Sequence, residues 1–183
     1  MDRAAEFGEG AERMRGAMLR HMWDPERRQF ARTALPQEDG SYRLDFTLDA
    51  SAYALFAFGA LDANDPRVVS HMRLIRERLW VKTEVGGIAR YERDPYHQVE
   101  RHALHEVPGN PWVICTLWYA QWLIARAATE AELREALDYL EWANWRAAPS
   151  GVLAEQYDPY SGAQISVSPL TWSHATLMTT VIQ

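Results

Sequence analysis

Apolar positions recur at helical spacing along the chain, and the width of the apolar face changes from one predicted helix to the next. Residues 2–22 have an apolar face with Arg and Glu opposite, which predicts an amphipathic helix; its face comprises Phe7, Ala11, Met14, Met18 and Met22. Residues 23–45 are punctuated by Pro25 and Gly40 and predict a short hairpin or an irregular loop. Residues 46–61 leave almost no polar face, which predicts a helix enclosed by others.

The same alternation continues towards the C-terminus. Asp65 and Pro66 suit the N-cap and first position of a one-sided helix, whose apolar side comprises Val69, Met72, Ile75 and Leu79. Residues 112–128, introduced by Asn110-Pro111, predict a second enclosed helix. Thr129 and Glu132 fit a capping box for a one-sided helix with an apolar stripe at Leu133, Ala136, Leu137 and Leu140. A last apolar helix is predicted near Leu170, with Ser168 as N-cap and Pro169 at the first position.

Enclosed and one-sided helices in alternation predict a ring of inner helices wrapped by outer ones. The connections from inner to outer helices are short, at residues 62–65 and at Thr129. The connections from outer to inner helices are long, at residues 81–109 and 149–169, and both emerge at the N-terminal ends of inner helices. We therefore expect an all-α chain with about six helices and a functional site at that face, since loops this long are commonly functional.

Composition narrows the class of protein. A chain of 183 residues with 48% apolar and 24% charged residues predicts one soluble domain over residues 1–183. A net charge of −6 and scattered Arg residues argue against nucleic-acid binding. Eight Trp and eight Tyr suit core packing, sugar rings or a protein partner equally. Cys115, the single cysteine, predicts a small buried apolar residue with no disulfide.

Targeting and metal signals are weak. No stretch reaches the roughly 18 apolar residues of a membrane span, and residues 1–9 lack a secretory signal. The compartment is left open, with the cytoplasm weakly favoured.

The first long loop contains a cluster of polar residues, His97, Glu100, His102, His105 and Glu106. The cluster lacks the metal-binding spacing HExxH, so a polar loop insert is favoured over a metal site and no cofactor is expected.

Single residues in the two long loops have ordinary interpretations. Glu155 in a loop is by default a solvated charge, Arg90 and Asp94 an exposed pair, and Trp112 a core residue. His21 and His174 are expected to be packing or surface residues, and Asp49 to cap a helix start near the floor of the site.

Three segments together resemble one family. GGIARYERD (residues 86–94), GNPWVICTLWYAQ (109–121) and SGVLAEQYDPYSGAQISVSPLTWSHA (150–175) resemble, in order, segments of glycoside hydrolase family 15, the glucoamylases and glucodextranases. The resemblance implies an (α/α)6 toroid of which this chain is about half, the C-terminal half of the catalytic domain. It also implies hydrolysis of α-glucosidic bonds with inversion, which needs a carboxylic acid and a carboxylate base about 6.5–9.5 Å apart.

The resemblance assigns roles to individual residues. It makes Glu155 the general base, followed by Gln156 and Tyr157, and it places Ser166 where a hydroxyl donates to that base. Such a donor favours the ionised carboxylate. The residues that the resemblance places along the sugar subsites are Arg90, Tyr91, Asp94 and Trp112.

In the family that the chain resembles, the general acid lies in a Trp-Glu-Glu type motif, and no segment before Glu155 matches that motif. Glu141, next to Trp142, is excluded because it lies on a predicted outer helix and faces solvent. We therefore expect an α-glucan oligosaccharide as ligand but no activity from this chain alone. A half toroid exposes apolar flanks of its inner helices, which predicts association with the missing N-terminal half or with itself.

Two alternatives stay open, a carbohydrate-binding or regulatory relic and a purely structural helical module. A terpenoid-cyclase-like toroid is disfavoured because a DDxxD-type cluster is absent.

Overall fold

The computed structural model describes residues 3–98 and 105–183, and the chain forms two compact units, Met1–Thr47 and Leu48–Gln183. Six α-helices occur in the described residues, which confirms the helical class; they are α1 (Arg3–His21), α2 (Ala54–Ala57), α3 (Pro66–Leu79), α4 (Val113–Arg126), α5 (Glu130–Arg146) and α6 (Thr171–Ile182). None of them is long and apolar enough to cross a membrane. The single domain over residues 1–183 stays a prediction.

The first unit consists of α1 and two antiparallel hairpins. The strands are β1 (Trp23–Asp24) with β2 (Gln29–Phe30), and β3 (Thr33–Pro36) with β4 (Tyr42–Asp45). The amphipathic helix and the hairpin interpretation of residues 23–45 are thus confirmed. No described residue of α1 is buried, and Phe7 and Met14 of its apolar face are 71% and 76% exposed.

The second unit is centred on α4, which packs against α3, α5 and α6. Ten of its fourteen residues are buried, so the prediction of an enclosed helix is confirmed here. Leu117 of α4 shares a core cluster with Trp142 of α5 and with Leu153 and Tyr157 of the following loop. This cluster holds the loop that carries Glu155 against the central helix.

Local start signals are confirmed at two helices. The Asp65 carboxylate accepts a hydrogen bond from the Arg67 N–H at 2.9 Å, and Pro66 is the first residue of α3. At α5, the Thr129 hydroxyl and the Glu132 carboxylate form the reciprocal bonds of a capping box. Both motifs involve atoms within three residues of each other, which is why the sequence alone predicts them.

The enclosed helix expected at residues 46–61 is wrong. The segment forms a 3-10 turn (Ala50–Tyr53) followed by the single turn of α2, and Phe58 beyond it is 81% exposed. The stripe expected on α5 is also only partly buried, because Leu133 and Leu137 are 44% and 50% exposed. The apolar pattern gives the width of the helix face that can be buried, whereas the neighbouring elements determine how much of that face is buried.

The start expected for α6 is also wrong. Its N-cap is Leu170, which provides no side-chain hydrogen bond, and the helix begins at Thr171. The Ser168 hydroxyl donates instead to Gln164 Oε1 at 2.9 Å. Ser168 and Pro169 therefore belong to the loop before the helix.

A four-stranded antiparallel sheet, which the sequence pattern does not predict, joins the long loops. Its strands have two residues each and pair in the order β5 (Ile88–Ala89), β6 (Pro111–Trp112), β7 (Gln156–Tyr157) and β8 (Gln164–Ile165). Trp112 pairs with both Ile88 and Gln156 across the sheet. The three family-like segments are thus held side by side by backbone hydrogen bonds.

Candidate active site

The backbone of Glu155 is fixed on both sides. Its N–H donates to the Val167 carbonyl at 2.9 Å, and its own carbonyl accepts from the N–H of Val113, the first residue of α4, at 3.2 Å. The fully buried Ser173 of α6 donates its hydroxyl to the Ala154 carbonyl at 2.8 Å. The half-buried Glu155 is therefore placed at the N-terminal end of the central helix.

Two donors meet one oxygen of the Glu155 carboxylate. The Ser166 hydroxyl donates to Glu155 Oε2 at 2.5 Å, and Gln156 Nε2 donates to the same oxygen at 2.9 Å. Ser166 has a left-handed backbone with φ of 63°, which is uncommon for a residue other than glycine. Both donors stabilise the charged carboxylate and fix Oε2, while neither occupies Oε1.

A second charged group is the ion pair of Arg90 and Asp94. Arg90 Nε donates to Asp94 Oδ2 at 2.9 Å, and a terminal guanidinium nitrogen of Arg90 donates to Oδ1 at 3.0 Å. Asp94 is 1% exposed, whereas the Arg90 side chain is 33% exposed. Burial alone would lower the pKa of Arg90, but the hydrogen bonds and charge of Asp94 outweigh it and raise that pKa. Asp94 thus holds the guanidinium in place and leaves part of it open.

Aromatic rings surround this guanidinium. Arg90 Cζ lies 4.9, 4.8 and 4.6 Å from the ring centroids of Tyr91, Tyr96 and Trp112. The rings of Tyr96 and Trp112 are stacked 6.0 Å apart. Trp112 is only 4% exposed, whereas Tyr96 is 42% exposed. The open ring of this stack is therefore Tyr96, which the sequence did not single out.

The structure brings the expected site residues together around the first turn of α4. Burial raises the pKa of the Cys115 thiol well above its usual value, and four further charges act on the thiol, those of Asp49, Arg90, Asp94 and Glu155. The Asp49 side chain accepts from the Ser51 N–H at 2.8 Å and caps the 3-10 turn, as expected. Cys115 is buried, also as expected.

Three other residues considered in the sequence lie in the core, on the surface or in the packing of a loop, namely Tyr157, Glu141 and His174. Tyr157 is fully buried, packs edge-on against Trp142 at 5.9 Å and belongs to the core. Glu141 lies exposed on α5. His174 Nε2 accepts from the Leu153 N–H at 3.1 Å and so helps to pack the loop.

The polar cluster of the first long loop is described in part. Glu100 and His102 lie outside the described residues. His105 and Glu106 form an exposed pair at 3.8 Å, and no metal-ligating cluster occurs among the residues that the structure describes.

Asn110 is a further residue that the sequence pattern did not select. It is 1% exposed, and its carboxamide donates to Gln156 Oε1 at 3.0 Å. The available signal was a polar residue directly before Pro111 in an otherwise apolar segment, which instead suggested a helix start.

Replacing Arg90 by alanine tests the ion pair. The change leaves Asp94 buried without its partner, and we expect the free energy of unfolding to fall by about 2 kcal/mol, below the roughly 3–5 kcal/mol of a fully buried pair because Arg90 is partly exposed. Urea unfolding followed by circular dichroism measures it. The control is Arg134→Ala, whose partner Glu130 has the same i,i+4 spacing at 2.7 Å but is exposed; it should cost under about 0.5 kcal/mol. Equal losses in the two variants would contradict the prediction.

Comparisons with known proteins agree with this architecture. The sequence profile described as Glycosyl hydrolases family 15 matches residues 18–182. An uncharacterized glycosyl hydrolase of Methanocaldococcus jannaschii is 27% identical in an alignment of 183 positions, which covers 95% of this chain and 27% of that protein. A bacterial glucoamylase crystallised with acarbose superimposes with a TM-score of 0.76 at 19% identity, over 97% of this chain and 29% of that one. The glucoamylase of Hormoconis resinae gives 0.60 at 18% identity, over 88% and 35%.

Proposed function

The chain belongs to the glycosyl hydrolases of family 15, and from this premise we propose that it supplies the general base of an inverting α-glucosidase that acts on α-glucan oligosaccharides. The observation that carries the proposal is the Glu155 carboxylate, with two donors on one oxygen and the other oxygen left for water. A carboxylate held in this way keeps a fixed orientation, as a base requires.

The proposed step is a single displacement at the anomeric carbon. A water molecule attacks that carbon from the face opposite the leaving oxygen, and Glu155 Oε1 takes the proton that the water loses. The new C–O bond forms as the glycosidic C–O bond breaks, so the configuration inverts. In this proposal the open part of the Arg90 guanidinium binds sugar hydroxyls, and the exposed ring of Tyr96 packs against the sugar.

Protonation of the leaving oxygen requires a second carboxyl group, which we place outside this chain. The chain spans 27% of the archaeal relative and 29% of the bacterial glucoamylase, and Glu141 is exposed on the outer helix. The proposed partner is the remaining, N-terminal part of a toroid. A row of aromatic rings is the surface that it would cover; Trp118 of α4 stacks on Tyr53 of the 3-10 turn at 4.9 Å and meets Trp172 of α6, which is 53% exposed, at 5.8 Å.

The proposed role of Glu155 can be tested with a substrate whose leaving group needs no general acid. Fluoride leaves α-glucosyl fluoride without protonation, whereas the alkoxide of maltose does not leave readily without it. We expect this chain to release fluoride faster than the spontaneous reaction and to produce β-glucose, while maltose stays intact. A fluoride electrode and proton NMR of the anomeric signal measure both.

Three outcomes would contradict the proposal. Release of α-glucose would exclude inversion, and hydrolysis of maltose at a comparable rate would show that this chain contains an acid. Maltotriose binding without any fluoride release would favour the carbohydrate-binding relic instead. A matched measurement with the Glu141→Gln variant controls for a nonspecific effect of a carboxylate, because Glu141 is exposed on α5.

A further inference from the structure

The carboxamide nitrogen of Asn110 has three acceptors close to it, whereas its buried Oδ1 has no hydrogen-bond partner among the described residues. Its carboxamide nitrogen donates to the backbone carbonyls of Tyr96 at 3.0 Å and His97 at 3.1 Å, and to Gln156 Oε1 at 3.0 Å. Asn110 and Gln156 are 1% and 0% exposed, so water does not compete for these bonds.

Gln156 connects this group to the carboxylate. Its side chain has one acceptor end and one donor end, and the acceptor, Oε1, receives Asn110. The donor end, Nε2, therefore faces Glu155 and donates to Oε2 at 2.9 Å. If the carboxamide of Gln156 were reversed, its oxygen would face the carboxylate, and a stabilising bond would become a repulsion.

We propose that Asn110 is a positioning residue for Glu155, acting through the orientation of the Gln156 carboxamide. Asn110 offers only N–H donors to Gln156 in this arrangement, so it selects the orientation in which Gln156 donates to the carboxylate. The proposal rests on the proposed role of Glu155 as the base and adds a residue that touches neither substrate nor Glu155.

The same side chain also fixes the loop that carries the exposed ring. The carbonyls of Tyr96 and His97 both accept from Asn110, while the Tyr96 N–H donates to Asp94 Oδ1 at 3.1 Å. One buried carboxamide thus links the Arg90–Asp94 side of the site to the Glu155 side. Loss of Asn110 is expected to loosen both sides together.

The Asn110→Asp variant tests this link, because it keeps the shape of the side chain and replaces the NH2 group by oxygen. Gln156 Oε1 then loses its donor, and we expect the carboxamide to turn so that Nε2 faces residue 110. In nuclear Overhauser spectra of the labelled full chain, contacts from the Gln156 NH2 protons to the Glu155 side chain should disappear. The Asn110→Ala variant, which introduces no charge, is measured in parallel.

Asn144→Asp makes the same chemical change at an exposed position of α5 and should leave the Gln156 contacts unchanged. In the fluoride assay we expect both Asn110 variants to lower kcat about tenfold or more, as for a lost hydrogen bond to a charged group, with a smaller change in KM. Rotation of the Gln156 carboxamide is a change that a merely structural role would not produce.

Unchanged Gln156 contacts in a folded Asn110 variant would overturn the proposal, whatever the fluoride assay shows. The failure of the proposed function is a separate result. In that case Glu155→Gln would leave fluoride release unchanged, while the NMR contacts would still report whether Asn110 orients Gln156.

Discussion

Replacing Glu155 by glutamine should lower the rate of fluoride release from α-glucosyl fluoride by about 10²–10⁴-fold, the usual contribution of a general base. Glutamine has nearly the same shape, so the site should stay folded and retain sugar binding. Its amide oxygen, however, cannot accept a proton from water near neutral pH. Initial rates with a fluoride electrode, compared with the parent chain, measure the loss.

The Ser166→Ala variant measures the contribution of a residue that supports the base, separately from that of the base itself. The variant removes one of the two donors to Glu155 Oε2 while Gln156 still donates to it, and a loss of about tenfold is expected for one hydrogen bond to a charged group. A Glu155→Gln variant that retained the parent rate, with the Ser166→Ala variant less active, would exclude the carboxylate as the base.

Gly87→Ala should lower the free energy of unfolding by about 4 kcal/mol. Gly87 has a φ of +87°, where a side chain costs about 1–3 kcal/mol. An added Cβ would also collide with the indole of Trp142 and lie 2.8 Å from Pro111 Cβ, and overpacking of this kind costs about 1–3 kcal/mol more. Urea unfolding gives the difference directly.

Gly151→Ala is the matched control for Gly87→Ala. Gly151 has a φ of +81°, yet no atom lies within 4 Å of an added Cβ, so only the cost of the backbone conformation remains, about 1 kcal/mol. Equal losses in the two variants would show that the close approach of Gly87 to Trp142 and Pro111 contributes nothing.

The sequence predicted those parts of the fold that depend on near neighbours. Asp65 and Thr129 cap their helices through atoms two or three residues away, and the apolar run of α4 is enclosed as its pattern indicates. The three family-like segments also meet in space as their order suggested. In each case the deciding interaction is either local or carried by a long, uniform pattern.

The rest of the site depends on contacts between distant residues. Strands of two residues have no period to detect, so the sheet that pairs Trp112 with Gln156 has no signal in the sequence. The burial of Trp112 beneath Arg90 and Tyr96 depends on how one loop folds over another. Ser168 and Pro169 showed a local start signal for α6, yet the loop continues to Leu170.

The short sheet also bears on how proteins with this site could diverge. Its strands are joined by backbone hydrogen bonds, which most side chains permit, so the pairing constrains few of the residues between β5 and β6. Apart from Arg90, Asp94, Tyr96 and Asn110, that connection can gain, lose or exchange residues over evolutionary time while both of its ends stay anchored beside the carboxylate. New substrate preferences could therefore arise by changing this connection alone, without rebuilding the chemistry.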